Sequence, residues 1–537
     1  MGNFRWLPTP KFGNLGTASY PEVLGFTESF PLDYNRVSSV GHVLCKLVDQ
    51  IPLERETPMK STWQSCSDVW TTPRFRVARR RFLQTASGAL AFSTLGAYGL
   101  ELVHQKPRRV GLIGAGWYGK YILWRLHQVA PIEIVSICDP DRRHLEEAIE
   151  LAAQRQKSGQ KPRGYTDYRQ MLQERDLDIV LVGTPDHWHA LPTIDAMEAG
   201  ADVYVEKPTA VDVIESEAML SAARKYGRVV QVGTQRKFTP HIMEAKKQVI
   251  EAGLLGQVGH VDLCCYYHMR ANGDPPVQPV PDYFDYEMWT GPAPLRPFDG
   301  LPHRRWWRTF MEYGNGIVGD MCVHLLDMVR WMLGLGWPKR ISSSGGIYVQ
   351  KGGKSTIPDT QTAVFEYEPF NIVWQHRTWG VPTDPEYPWA LFIHGEKGVL
   401  KASTMWAEFI PVDKKAKPLR FDCVYEKEQY PEDLKEKDCD LASAPASRRH
   451  MLDFLAAIDK RGRPLSDIEE GHISSACCIL ANIAMQVGRP IVYDPVKREV
   501  VGDAEATAKL RRPYRAPWRH PEPEPLPAPA SATPKQG

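Results

Sequence analysis

Three short segments of this chain carry residue types whose spacing could do chemistry. Gly114, Gly116 and Gly119 form a Gly-x-Gly-x-x-Gly turn directly after the apolar run Val110–Ile113. In such a turn the first glycine allows the tight bend, and the second presents bare backbone to a pyrophosphate. The third lets the strand and the next helix pack closely. A helix predicted over Lys120–Val129 would aim its free N–H groups and positive dipole end at the phosphates. Asp139 closes a second predicted strand, Ile132–Cys138, twenty residues beyond Gly119. A carboxylate there can bind the adenosine ribose hydroxyls, and its charge repels a 2′-phosphate, which favours NAD. Arg142 and Arg143 lie just beyond and could neutralise such a phosphate, so NADP is the alternative.

The second segment is Glu206-Lys207-Pro208, at the C-terminal end of a predicted strand, where open α/β sheets bind their ligands. The third is Gly319–Asp327. If it is helical, Asp320, His324 and Asp327 fall at i, i+4 and i+7 and share one face. A carboxylate one turn from an imidazole can fix its tautomer and raise its basicity. Trp306 and Trp307, flanked by Arg304, Arg305 and Arg308, sit in a predicted loop just before that helix. Aromatic faces and guanidinium forks suit a polyhydroxylated ring and its substituents. Trp306, Arg305, Asp327 and Arg377 (at the end of a predicted strand) are the candidates for touching substrate. His187 and His189 flank Trp188 after another strand end, but no carboxylate or cysteine cluster completes a ligand set, so no metal is expected.

The elements that must position these residues follow from periodicity. From Pro107 to Thr234 strands alternate with helices: strands over 109–113, 132–138, 177–183, 202–206 and 228–233, helices over 120–129, 191–199 and 213–226. That alternation implies a doubly wound parallel sheet. Beyond Thr234 the strands lengthen, over 258–268, 340–349, 360–367, 371–377 and 390–394, without crossover helices between them. They predict a large open, mostly antiparallel sheet. Late helices are expected over 447–459 and 471–486. The fold class is α/β: an N-terminal Rossmann domain over 107–234 and a C-terminal α+β domain over 235–505, followed by a Pro-rich tail over 506–537. The tail is expected to be disordered from Pro521 on.

The leader has its own signature. Arg79-Arg80-Arg81-Phe82-Leu83 opens an Ala/Gly-rich, mildly apolar stretch to about residue 104, similar to a twin-arginine export signal. Export signals open chains, so residues 1–78 are expected to lie upstream of the true start. The stretch is too short and too weakly apolar for a membrane anchor. A net charge of +2 over 537 residues argues against a nucleic-acid footprint. Ten cysteines without a Cys-x-x-Cys spacing argue against a disulfide scaffold or a thiolate metal site.

With these segments in view the chain resembles the Gfo/Idh/MocA family, the relatives of glucose–fructose oxidoreductase and inositol dehydrogenase, from about Arg109 to Trp518. The markers are Gly114-Ala115-Gly116-Trp117-Tyr118-Gly119, Thr184-Pro185-Asp186-His187-Trp188-His189, Glu206-Lys207-Pro208, Trp289-Thr290-Gly291-Pro292-Ala293-Pro294 and Asp320…His324…Asp327. Cys322 departs from the glycine many relatives carry there. The resemblance implies Lys207, Asp320 and His324 as catalytic residues. It also puts Trp117, Tyr118, Thr184, Pro185, His187, His189, Glu206 and Pro208 beside the dinucleotide. The implied activity is hydride transfer between a nicotinamide and a secondary hydroxyl of a sugar, cyclitol or related polyol. His324 would act as base, Asp320 would stabilise its protonated form, and Lys207 would stabilise the developing alkoxide. Export of a folded protein to the periplasm implies a tightly held cofactor; cytoplasmic residence is the alternative. A redox-assisted glycoside hydrolase or lyase, with no net nicotinamide turnover, is the other enzymatic reading. Homo-oligomers through the C-terminal sheet are implied by resemblance alone.

Overall fold

The computed structural model describes residues 106–524 other than 175, 268–269, 272, 302–305 and 438. The export-signal segment, residues 1–78 and the last thirteen residues lie outside the described residues. Six strands build the first sheet: β1 Arg108–Ile113, β2 Ile132–Cys138, β3 Arg163–Tyr165, β4 Ile179–Val182, β5 Asp202–Val205 and β6 Val230–Val232. All pair in parallel, in the order β3-β2-β1-β4-β5-β6. The order reverses beside β1, and the chain leaves β1 and β4 into the crevice that this reversal opens. β4 and β5 are buried along their whole length, as strands covered by helices on both faces must be. Apolar runs such as Ile179-Val180-Leu181-Val182 show no alternation for this reason.

The second sheet has eight strands: β7 Val258–Cys265, β8 Arg340–Gly346, β9 Thr360–Glu366, β10 Asn371–Arg377, β11 Trp389–Gly395, β12 Gly398–Ser403, β13 Trp406–Pro411 and β14 Leu419–Asp422. Their order is β14-β13-β12-β11-β7-β10-β9-β8, antiparallel throughout except for the β10–β7 pair. β9 and β10 alternate buried and partly exposed residues, so one face packs and the other is open. The packed face carries Phe365, Ile372, Trp374 and Leu391. They meet the helices Val323–Leu333 and Ile468–Val487 through Leu326, Val329, Cys478 and Leu480.

Two features depart from the sequence reading. The helix Ala444–Lys460, assigned by position to the C-terminal domain, buries Met451, Phe454 and Leu455 among Tyr121, Leu123 and Ile134 of the Rossmann side. Residues 506–524 do not leave the fold as a tail. Residues 509–524 run back along it: Arg515 donates to Gly291 O, Trp518 packs edge-on against Trp188 at 4.8 Å, and Glu524 N donates to Ser221 Oγ. Proline richness removes N–H donors but leaves arginine, tyrosine and tryptophan side chains free to anchor the strand.

Candidate active site

The glycine turn opens a cavity of about 390 Å³ between the two sheets, lined by Gly114, Gly116, Trp117 and Tyr118 on one side and by Lys207, Asp320 and His324 on the other. Gly119 is there because nothing larger fits: a Cβ at 119 would come 1.8 Å from Gly114 O. Gly116 is there for the opposite reason. A Cβ at 116 would meet nothing within 4 Å, so the absent side chain keeps open space. Gly116 caps the helix Trp117–Val129 with no side-chain hydrogen bond, which leaves the leading N–H groups to an anion. Helix Trp117–Val129 therefore starts three residues earlier than expected, within the glycine motif itself.

Asp139 lines the cavity with its carboxylate held by two backbone donors, Ala115 N at 2.7 Å and Asp141 N at 2.8 Å. Burial raises its pKa against those bonds and the nearby His144. The cofactor expectation for Arg142 is corrected. Its guanidinium donates to Asp282 O, outside the cavity, and Arg143 is drawn over the Tyr283 ring and onto Asp141. Both arginines that could have met a 2′-phosphate are thus engaged by other groups. Thr184, Pro185 and His189 line the cavity, whereas His187 does not. The His187 ring points into an aromatic nest, with Nε2 3.0 Å from Trp289 O and Tyr313 beside it, and burial pulls its pKa down to about 4. The direction of the His187 ring is set by Trp289 and Tyr313 from distant elements, which the sequence motif does not reveal. Pro208 is held by His189, whose Nδ1 lies 2.6 Å from Pro208 O.

At the other end, Lys207 emerges from β5 and its ammonium donates to Asp320 Oδ1 at 2.5 Å and to Asp320 O at 3.1 Å. Glu206 turns inward and accepts from Tyr204 Oη and Lys207 N; burial pushes it up to about 7. Asp320 lies in a π-helical turn, Val318–Cys322, that joins the helix Val323–Leu333. The extra residue in that turn rotates the carboxylate away from an ideal i, i+4 stack with the imidazole and toward Lys207. Burial raises the Asp320 pKa, but Lys207 and Arg308 (Nε 3.6 Å away) overcome it and hold the carboxyl well below its ordinary range. The expected hydrogen bond that would fix the His324 tautomer is corrected accordingly, since Asp320 pairs with Lys207, but its charge still favours the protonated imidazole. His324 lines the cavity, stacks edge-on against Trp389 at 5.7 Å, and has a buried Nδ1 with no partner among the described residues. Burial, with help from Lys207 and Arg236, holds it neutral well below the usual histidine range.

Two substrate candidates are corrected. Asp327 is one turn further along the helix, where its carboxylate meets Lys237 at 3.0 Å and Ser474 Oγ at 3.1 Å, both buried and away from the cavity. Arg377 lies over the Tyr266 ring and donates to Val381 O, also away from the cavity. Trp306 does line it, with Trp307 and Arg308; Arg305 lies outside the described residues. The structure adds Asp186, Arg236 and Trp389 to the lining. Asp186 stands inside a motif that the sequence singles out. Arg236 follows β6, and the rule that ligands sit beyond strand ends could have found it. Trp389 arrives from β11 of the distant sheet and has no local signal.

Comparisons with known proteins place this geometry. Residues 108–234 match the family model "Oxidoreductase family, NAD-binding Rossmann fold". Residues 243–401 match "GFO/IDH/MocA C-terminal domain", and residues 424–520 match "Oxidoreductase family, C-terminal alpha/beta domain". A 4-carboxy-2-hydroxymuconate-6-semialdehyde dehydrogenase from Sphingobium sp. is 33% identical over 181 residues, 34% of this chain and 54% of that protein. A levoglucosan dehydrogenase from Pseudarthrobacter phenanthrenivorans is 29% identical over 227 residues, 42% of this chain and 51% of its own. A glycosyl hydrolase family 109 protein from Shewanella pealeana is 31% identical over 173 residues, 28% of this chain and 38% of its own. The chain thus spans about half the length of the first two curated relatives and less of the third. A structure of levoglucosan dehydrogenase with NADH and levoglucosan superposes with a TM-score of 0.55 at 17% identity, covering 72% of this chain and 99% of that one. At that identity the superposition speaks for the fold.

Proposed function

The chain belongs to the GFO/IDH/MocA oxidoreductase family, and from that premise we propose that it moves a hydride between NAD and a secondary hydroxyl of a sugar, cyclitol or related polyol. The observation that carries the reading is the meeting of Lys207, Asp320 and His324 in the same cavity as the open glycine turn. The uncapped N-terminus after Gly116 and the fixed Asp139 carboxylate fit a dinucleotide's pyrophosphate and ribose. When bound, NAD supplies the hydride acceptor.

The protein's own residues do the rest. Alkoxide character develops as a hydroxyl is oxidised, and the Lys207 ammonium, anchored by Asp320, stabilises it. His324 is kept neutral by its surroundings and so is ready to accept the hydroxyl proton. Trp306, Trp307 and Trp389 offer apolar faces to a ring, with Arg236 and Arg308 as donors to its oxygens. The reading includes a tightly held nucleotide and export through the Arg79–Arg81 segment, since a folded protein could carry its nucleotide across a membrane.

A second reading, redox-assisted glycoside cleavage, uses the same Lys207 and His324 and returns the hydride within one cycle. It is favoured by the glycosyl hydrolase family 109 relative and by the cavity's additional carboxyl, Asp186. Denaturing freshly purified protein and identifying released nucleotide by mass spectrometry tests both readings at their root. Stoichiometric NAD is expected. Protein that arrives empty and forms no NADH from added NAD with any sugar or cyclitol would overturn the proposal.

A further inference from the structure

Oxidising a secondary alcohol moves one hydride, which a nicotinamide would take, and one proton, for which His324 with Lys207 suffices. The cavity holds a further acidic group that this chemistry leaves idle. Asp186 opens the turn after β4, is 5% exposed, and lines the cavity with Lys207, Asp320 and His324. Charged groups face its carboxyl from four separate parts of the chain: Lys207 beyond β5, Arg308 in the turn 306–309, Asp320 in the π turn, and Arg512 in the C-terminal segment. The cations among them are committed to other acceptors. Lys207 donates to Asp320, Arg308 stands 3.6 Å from Asp320, and Arg512 donates to Met311 O, Gly314 O and Asn315 Oδ1. Gly314 packs bare backbone against the same carboxyl, since a Cβ there would lie 3.2 Å from Asp186 Oδ2.

Glu206 makes the contrast. It is equally buried and burial raises it too, but Tyr204 and Lys207 N donate to its carboxyl, which Asp186 lacks. Among the described residues no donor reaches the Asp186 side chain, and a buried carboxyl without donors favours its neutral form. Burial pushes its pKa to about 8, against Lys207 and Arg308 and with Asp320.

We propose that Asp186 is a general acid of this site, entering the reaction protonated and delivering that proton to the glycosidic oxygen that departs from a bound sugar. The inference rests on the cleavage reading above. The ring ketone it needs comes from oxidation of a hydroxyl by a nicotinamide dinucleotide, which is reoxidised when the ketone is later reduced. Beside that ketone the neighbouring C–H proton passes to a base, for which His324 is at hand once the hydroxyl proton taken in the oxidation has passed to water. The C–H electron pair becomes a C=C bond, the C–O bond to the leaving group breaks, and the departing oxygen takes the Asp186 proton. Water adding back supplies the hydroxyl and returns a proton to Asp186, while the ring carbon recovers its proton from His324. Elimination and addition are redox-neutral, and the net reaction is hydrolysis.

The test uses the holoprotein and its Asp186→Asn variant on methyl and 4-nitrophenyl glycosides of the common hexoses. A methyl leaving group needs protonation; nitrophenolate does not. Asn matches Asp in shape but delivers no proton, so the ratio of methyl to nitrophenyl cleavage rates is expected to fall by about 10²-fold or more. In the parent, methyl glycoside cleavage is expected to decline as pH rises through about 8, where Asp186 ionises, with the nitrophenyl rate holding further up. That comparison needs no variant. A parent that cleaves both glycosides with one pH profile, or an Asp186→Asn protein with an unchanged ratio, overturns the acid role alone. A parent that cleaves neither overturns the cleavage reading and the acid role together.

Discussion

At the scale of single residues, the site is organised around which cation each carboxylate meets. Among the described residues Lys207 has one acidic partner within hydrogen-bond reach, Asp320, and both line the cavity. Replacing Lys207 or His324 with alanine is expected to slow turnover by about 10²-fold or more while circular dichroism stays that of the parent. Parental turnover in either variant would remove that residue from the chemistry. The environment of His324 sets a pH expectation as well. Its neutral form is the base, and burial with Lys207 and Arg236 lowers its pKa well below 6.5. Turnover should therefore stay level as pH falls through the ordinary histidine range and decline only below it. An acid limb centred at 6.5 would mean the ring is solvated. Lys207, Asp320 and His324 were legible in the sequence as types and spacing. The Lys207–Asp320 pairing was not, because it depends on a π-helical turn that periodicity reads as ordinary helix.

At the scale of elements, two glycines three residues apart in one turn do separable work. Gly116→Ala adds a methyl that touches no protein atom, so stability should stay within about 0.5 kcal/mol. That methyl stands where the pyrophosphate must approach, so NAD binding should weaken about tenfold or more by calorimetry. Gly119→Ala drives its methyl into Gly114 O and should unfold the turn itself, visible as a lowered melting temperature without any ligand. The helix Val323–Leu333 is tied to the turn that follows β6 by the buried Asp327–Lys237 pair. Removing one partner strands a charge, so Asp327→Ala should cost about 3–5 kcal/mol in urea unfolding. Asp327 looked like a site residue from spacing alone. A helical face is wide enough to serve a cavity at one turn and a core at the next, and only the neighbouring element decides which.

At the scale of the whole molecule, the C-terminal segment braces the cavity walls. Arg512 satisfies two backbone carbonyls and Asn315 just ahead of the π turn, and His520 and Arg512 N both reach Asp212 at the start of the helix Val213–Tyr226. Arg512→Ala leaves those buried acceptors unpaired and is expected to lower stability by about 1–3 kcal/mol, measured by thermal unfolding. The helix Ala444–Lys460 works in the same direction, since it belongs to one half of the chain and packs against the other. Among the described residues no helix is long and apolar enough to cross a membrane.

Local regularities were enough to write much of this protein from its sequence. The strands of the parallel sheet over 108–232, the glycine turn and the position of Asp139 show as local period and turn chemistry in the letters, although their pairing, such as Val110 with Ile179, is long-range. The same holds for the alternation of β9 and β10, which reports a sheet with one covered face. What the tertiary structure alone decided are contacts between residues far apart: Trp389 against His324, the return of residues 509–524, and an Asp186 side chain that no donor among the described residues reaches. Sequence spacing sets which side chains can share a face of one element. Whether a buried carboxyl meets a cation or stays unpaired depends on what a separate element brings to it, and that is fixed only when the sheets and helices pack.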